Sequence, residues 1–350
     1  MHRRTLLRIG VVGAAATPLA GCLDDLFGET NRVPDRLSDP PDAVYLPTHV
    51  DDHTSPIVTE TGPYGVAVMY TYPHYFWLVT GRDTRFVEIK SDHDIHLMAT
   101  VWDAATGTVL PTGSLDVSIA RDGETVAERS LWPMVSQRMG PHFGDNLTLD
   151  GDGTYEATIT VGHPDSRLAG DLADRPGDST SVTVDLEYAA STVDDLEFDV
   201  FDDPGQPGAA EAMAMPMLPE LSAPEALSGD TLGEARLDDA AAEVVGLDEP
   251  PPGVEGTGPY LAVVLTTPYN RFPLPMASMT ATVRREDDTV FDGPLVETLS
   301  PELGSHYGAI VDDLDGGDAV DVVVEAPPQI ARHEGYETAF LEMDGFTVTV

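Results

Sequence analysis

Leu115-Asp116-Val117-Ser118-Ile119-Ala120, the turn signal Asp122-Gly123 and a second run from Thr125 to Leu131 together set the fold class. Apolar and polar side chains alternate in the first run, the two-residue period of a strand with one buried face. Asp-Gly between two such runs marks a hairpin, because both central residues of a type I′ turn need positive φ. The pattern recurs on either side. Tyr64 to Tyr72, Phe86 to Ile89 and Ile95 to Trp102 precede it, and Tyr155 to Val161 and Ser181 to Tyr188 follow, with further turn signals at Thr106-Gly107 and Asp150 to Gly153. Helical periodicity is nearly absent. About seven short strands in about 150 residues call for a β-sandwich, here over residues 44–201.

Between the strands Leu115–Ala120 and Tyr155–Val161 lie Leu131-Trp132-Pro133-Met134 and Met139-Gly140-Pro141-His142-Phe143-Gly144-Asp145-Asn146. The sequence reading places this thioether and this imidazole in one inter-strand loop. Met and His are soft and borderline donors, a pairing that suits copper and, less strongly, ferrous iron. His96 and Met98 stand two apart on a predicted strand and so project from the same face. That spacing fits a shared site, and it equally fits two packing residues. His163 follows a later strand, and His74 and His93 are second-choice donors.

The N-terminus carries paired arginines, Arg3-Arg4, before an apolar run from Ile9 to Ala20 that ends in Leu19-Ala20-Gly21-Cys22. This is the pattern of a twin-arginine export signal over residues 1–21, too short to span a bilayer as a stable helix. The ending resembles a lipobox, with Cys22 as the lipidated first residue of the mature chain and residues 22–43 as a tether. The expected location is therefore extracytoplasmic, lipid-anchored to the outer face of the cytoplasmic membrane. Cys22 is the only cysteine, which excludes a disulfide, a zinc-thiolate cluster and a cysteine nucleophile.

Removing Arg3, Arg4 and Arg8 with the signal moves the formal charge from -43 to -46. Such a chain repels itself in dilute buffer, whereas at molar salt the Debye length falls to about 3 Å. The composition is that of a halophilic protein, and its sign excludes a nucleic-acid partner. The acids are dispersed along strands and loops, unlike those of a polyacidic tail. Gly-x-Ser-x-Gly, P-loop and His-Glu-x-x-His motifs are all missing from the sequence, so no enzyme is expected.

Residues 202–252 are rich in Pro, Ala and acids and read as a linker, with a helix expected over Leu232 to Val245 and a methionine cluster at Met213, Met215 and Met217. Residues 253–350 read as a second β-sandwich, a degenerate copy of the first. Thr61-Gly62-Pro63-Tyr64 is matched with Thr257-Gly258-Pro259-Tyr260, and Pro141-His142-Phe143-Gly144 with Ser305-His306-Tyr307-Gly308. On this alignment the copy lacks a counterpart of Asp94 to Met98, and His306 is structural.

His96-Leu97-Met98-Ala99, Trp132-Pro133-Met134-Val135, Gly140-Pro141-His142-Phe143-Gly144 and Gly153-Thr154-Tyr155 occur in the order seen in the periplasmic iron-transport protein family. The resemblance covers residues 90 to 190. It implies an immunoglobulin-like sandwich that binds copper or iron, with metal contacts from His96, Met134 and His142 and a permease as partner. Met98 stands where the family has a carboxylate, which shifts preference towards cuprous copper. His163 replaces the family's last histidine, which lies in a longer loop. The family is commonly homodimeric, and the tandem copy suggests either a homodimer or a pseudo-dimer within one chain. The reading is thus all-β, two tandem immunoglobulin-like β-sandwiches in a membrane-anchored metal-capture lipoprotein. The alternative is a surface interaction module with a vestigial metal site.

Overall fold

The computed structural model describes residues 34–350; the export signal and Cys22 lie outside them. The chain from Asp35 to Val350 is one compact all-β unit. Its first half contains β1 (His49–Asp51), β2 (Ile57–Thr61), β3 (Tyr64–Thr71), β4 (Phe76–Thr80), β5 (Asp83–Val87), β6 (Ile95–Asp103) and β7 (Leu115–Arg121). There follow β8 (Glu124–Ser130), β9 (Trp132–Ser136), β10 (Gly140–Leu147), β11 (Gly153–Val161), β12 (Arg167–Leu168), β13 (Thr180–Tyr188) and β14 (Phe198–Val200). The second half contains β15 (Asp230–Leu237), β16 (Ala240–Leu247), β17 (Tyr260–Thr266), β18 (Ser278–Arg285), β19 (Asp288–Ser300), β20 (Gly304–Ile310), β21 (Ala319–Ala326), β22 (Ala331–Arg332) and β23 (Gly345–Thr349).

In the first half a four-stranded sheet, β13-β11-β7-β8, packs on an eight-stranded one, β2-β3-β6-β10-β9-β22-β4-β5. The inward residues of both sheets form one core, including Val66, Val68, Leu97, Val101 and Phe143 against Val117, Ile119, Tyr155 and Ile159. Asp122 and Gly123 turn the β7-β8 hairpin with φ of 52° and 82°, as Asp-Gly in a tight hairpin requires. The second half repeats the arrangement along one continuous path, β15-β16-β17-β20-β19-β18-β21-β23. The long β19 serves both layers, pairing with β18 through its first part and with β20 through its last.

The halves exchange strands. β22, from the second half, inserts between β9 and β4 of the first-half sheet, while β12, from the first half, pairs parallel with β19. β3 is buried along its whole length because the sandwich core covers one face and the other is covered in turn, as in sheets packed on both sides.

Several expectations are corrected. Leu232 to Val245 forms no helix: it is the β15-β16 hairpin, with Asp238 at φ 51° in the turn. Ala240, Ala242 and Val244 point into the core while Ala241 and Glu243 do not, so the operative period is two residues and tertiary burial overrides alanine's helix preference. The irregular connection is thus shorter than 202–252. Residues 34–43 are not a free tether, since Leu37 N–H donates to Glu334 at 3.1 Å and Thr338 Oγ1 donates to the Pro41 carbonyl at 2.7 Å. Trp132-Pro133-Met134 and His142 are not loop residues but neighbours on β9 and β10.

Candidate metal centre

On β10 the outward face of the eight-stranded sheet carries His142, Gly144 and Asn146. Met134 pairs directly with His142, and His96 pairs directly with Asn146. These residues share a face because each is an even number of positions from the next along its strand. Gly144 makes the close approach feasible: a methyl group there would lie 2.7 Å from His96 Nε2 and 3.0 Å from Met134 Sδ.

Two further imidazoles complete the group. His74, just before β4, stacks on His96 with ring centroids 5.2 Å apart. His333 follows β22, which runs parallel beside β9 with Ala331 opposite Met134. The His333 Nε2 lies 3.1 Å from Met134 Sδ, and its ring centroid is 5.3 Å from that of His142. His74, His96 and His333 bring ring nitrogens within 4.8 Å of one another. His96, His142 and Met134 are at most 2 % exposed, and His333 is 9 % exposed.

The surrounding contacts fix which nitrogens are free. Asn146 Nδ2 donates to the His74 carbonyl at 2.6 Å and Asn146 Oδ1 accepts from the His74 N–H at 3.0 Å, which orients the amide. Its Oδ1 therefore also accepts from His96 Nδ1, at 3.0 Å. His142 Nδ1 donates to the Gly140 carbonyl at 2.9 Å. Both rings are held in the tautomer that leaves Nε2 with its lone pair. The His96 and His142 Nε2 atoms are buried and have no hydrogen-bond partner. Buried polar atoms are ordinarily satisfied, and a lone pair on His96 Nε2 beside the Met134 thioether is a donor arrangement that a Lewis acid would satisfy.

Burial pushes the His142 imidazole down to about 4 and holds His96 and His333 well below their ordinary value, with neighbouring imidazoles adding to the effect. The donors are thus neutral at physiological pH. At the rim His74 Nε2 lies 3.0 Å from Asp51 Oδ2. Burial would raise that carboxyl, but the His74 and His49 imidazoles and the Thr71 hydroxyl beside it outweigh burial and hold Asp51 at about 2.

Of the residues singled out from sequence, His96, Met134 and His142 come together here, joined by the second-choice donor His74. Met98 lies one pleat further along the same face and packs in an apolar cluster with Ala67, Met69, Met139 and Leu218, flanked by Met215. His163 is exposed in the loop after β11, a strand of the other sheet, so it takes no part in the group. His93 accepts the Lys90 N–H at 3.2 Å and closes a turn. His333 was not anticipated, since nothing local to Ala331-Arg332-His333 announces a ligand.

Two family models match parts of the chain. Residues 79–196 match the Fe2+ transport protein family. Residues 225–349 match a family described as a domain of unknown function, a span that includes the β15-β16 hairpin within the second half. Among solved structures, a copper-bound single-residue variant of FetP from uropathogenic Escherichia coli strain F11 is similar. It is 17 % identical, with 40 % of this chain and 92 % of that one covered and a TM-score of 0.30. FetP of the same strain as isolated is also 17 % identical, with 40 % and 96 % covered and a TM-score of 0.28. No curated protein sequence matches the chain.

Proposed function

We propose that this protein captures copper or iron outside the cell, through His96, Met134, His142 and His333 with His74 at the entrance, and passes the ion to a membrane permease. The observation that carries this reading is the buried, unpartnered Nε2 of His96 lying over Gly144 beside the Met134 thioether, with His333 Nε2 3.1 Å from the same sulfur and a second unpartnered Nε2 on His142, the strand partner of Met134. A site that had lost its ion would fill those lone pairs from protein donors. The family match over residues 79–196 and the copper named for FetP support the same reading.

Within it, cuprous copper fits best. Among the described residues the grouped donors are imidazoles without a carboxylate, and the added donor is a thioether. A neutral, soft set of this kind favours Cu(I) over harder ions. Anchoring through Cys22 would hold the site at the membrane surface; among the described residues no helix is long and apolar enough to cross it.

The test is a metal analysis and an anaerobic Cu(I) titration of the mature protein in molar salt, alongside His142→Ala and Met134→Ala. Stoichiometric binding weakened by both substitutions is expected. A folded protein that binds neither copper, iron nor manganese would overturn the reading.

A further inference from the structure

A constant offset of 164 residues superimposes the second half on the metal-binding part of the first. Gly140 and Gly304 share positive φ of 70° and 66°, and Asp122 and Glu286 share 52° and 53°. His142 faces Met134 as His306 faces Thr298. Gly144 faces Met98 as Gly308 faces Ala262, which puts Tyr260 in the position of His96. The strand holding Tyr260 is thus the counterpart of β6, and the matching of Tyr260 with Tyr64 is superseded. The exchanged strands obey the same offset: Ala331 lies opposite Met134 and Arg167 opposite Thr298. His333 N–H donates to the Val135 carbonyl at 3.2 Å, and Ala169 N–H donates to the Leu299 carbonyl at 2.9 Å.

The second half therefore holds a twin of the metal centre in which His96, Met134 and His333 are replaced by Tyr260, Thr298 and Ala169. His306 survives, held by the Gly304 carbonyl at 3.0 Å as His142 is by that of Gly140. Its Nε2 is not left open. The Tyr260 hydroxyl donates to it at 3.2 Å, and Arg167 Nη2 donates to Tyr260 at 3.0 Å and to Thr298 Oγ1 at 2.7 Å. The Tyr260 hydroxyl would lie 2.1 Å from a methyl group at Gly308, over the same patch of backbone that His96 Nε2 occupies at Gly144.

We infer that this twin is a sealed metal site in which the Arg167 guanidinium, carried across from the first half, is the resident cation. Each half completes the other's centre, one with a ligand, His333, and one with a permanent charge, Arg167. The chain is an asymmetric pseudo-dimer that takes a single soft ion, and its second centre can be reopened to the same class of ion. This rests on the first centre being a metal site, but its own claim is separable.

The experiment is an anaerobic Cu(I) titration of the full mature chain in molar salt. In the otherwise native chain, His306→Ala should leave the stoichiometry at one. The combined variant Arg167→Ala, Ala169→His, Tyr260→His and Thr298→Met should raise it to two, and adding His306→Ala should return it to one. If His306→Ala lowers the stoichiometry of the native chain, the twin is open and the inference fails. It also fails if the combined variant retains the first equivalent, and hence its fold, yet gains none. A native chain binding no Cu(I) beside a combined variant binding one would overturn the proposed function while upholding the sealed twin.

Discussion

Each residue of the candidate centre has a distinct task, and substitutions should separate them. Removing a ligand by His142→Ala or His96→Ala should weaken Cu(I) binding by more than tenfold, above about 1.4 kcal/mol. Asn146→Ala removes no ligand but releases both the His96 tautomer and the His74 backbone, and should cost about 10- to 100-fold in affinity. Competition with a Cu(I) chelator measures both, and an unchanged Asn146→Ala affinity would show that the amide does not orient the ring. The depressed imidazoles also fix a pH dependence. His142 is near 4 in the folded chain and about 6.5 when unfolded, so its stabilisation is fully present above about pH 6.5 and is lost as pH falls towards 4. For this ring alone the loss is on the order of 3 kcal/mol. Thermal denaturation of the metal-free protein should show a midpoint falling across that window, and His142→Ala should flatten the fall. Glu297 has the opposite sign: burial raises it to about 7, so it disfavours the fold as pH climbs past its unfolded value. Glu297→Gln should raise the thermal midpoint more at pH 8 than at pH 5.

The exchanged segments are the elements on which the centre depends. β22 is held by Arg332, fully buried, whose guanidinium donates to the carbonyls of Ala339, Pro328 and Phe340. Arg332→Ala strips those charge-assisted bonds from buried carbonyls and should cost roughly 3 kcal/mol or more, together with a loss of metal affinity because His333 is the next residue. Calorimetry and titration of one sample check both, and full affinity in a destabilised variant would detach β22 from the site. The hairpins around Leu115 to Leu131 were legible because period-two alternation and Asp122-Gly123 are local signals. His96, Met134 and His142 were legible as donors because they sit in distinctive local runs. His333 was not, since it reaches Met134 across 199 residues of chain, and parallel pairing between the halves leaves no periodic trace. The β15-β16 hairpin was hidden by an Ala-rich stretch whose burial pattern, not its propensity, sets its state. The repeated Thr-Gly-Pro-Tyr misaligned the halves because similar turn residues precede strands at different places in the two sheets.

At the scale of the whole molecule, a formal charge of -43 on 350 residues acts against a compact fold in dilute buffer. Raising salt from about 0.1 M to about 1 M shortens the Debye length from about 10 Å to about 3 Å, so the thermal midpoint should rise steeply over that range. A midpoint independent of salt would show that the acids are neutralised locally. The same screening should leave Cu(I) affinity nearly constant, because the ligands are buried and uncharged. On the proposed reading the second half is part of the capture device: it supplies His333 on the strand beside Met134 and, by the inferred closure with Arg167, leaves one open centre.

The most direct test of this account is the Cu(I) affinity of the full mature chain with and without His333, measured anaerobically in molar salt with thermal denaturation of the same samples. The account predicts one tightly bound equivalent in the native chain and a loss of more than tenfold in His333→Ala with the fold retained. Native affinity in a folded His333→Ala would contradict it, confining any metal site to the first half.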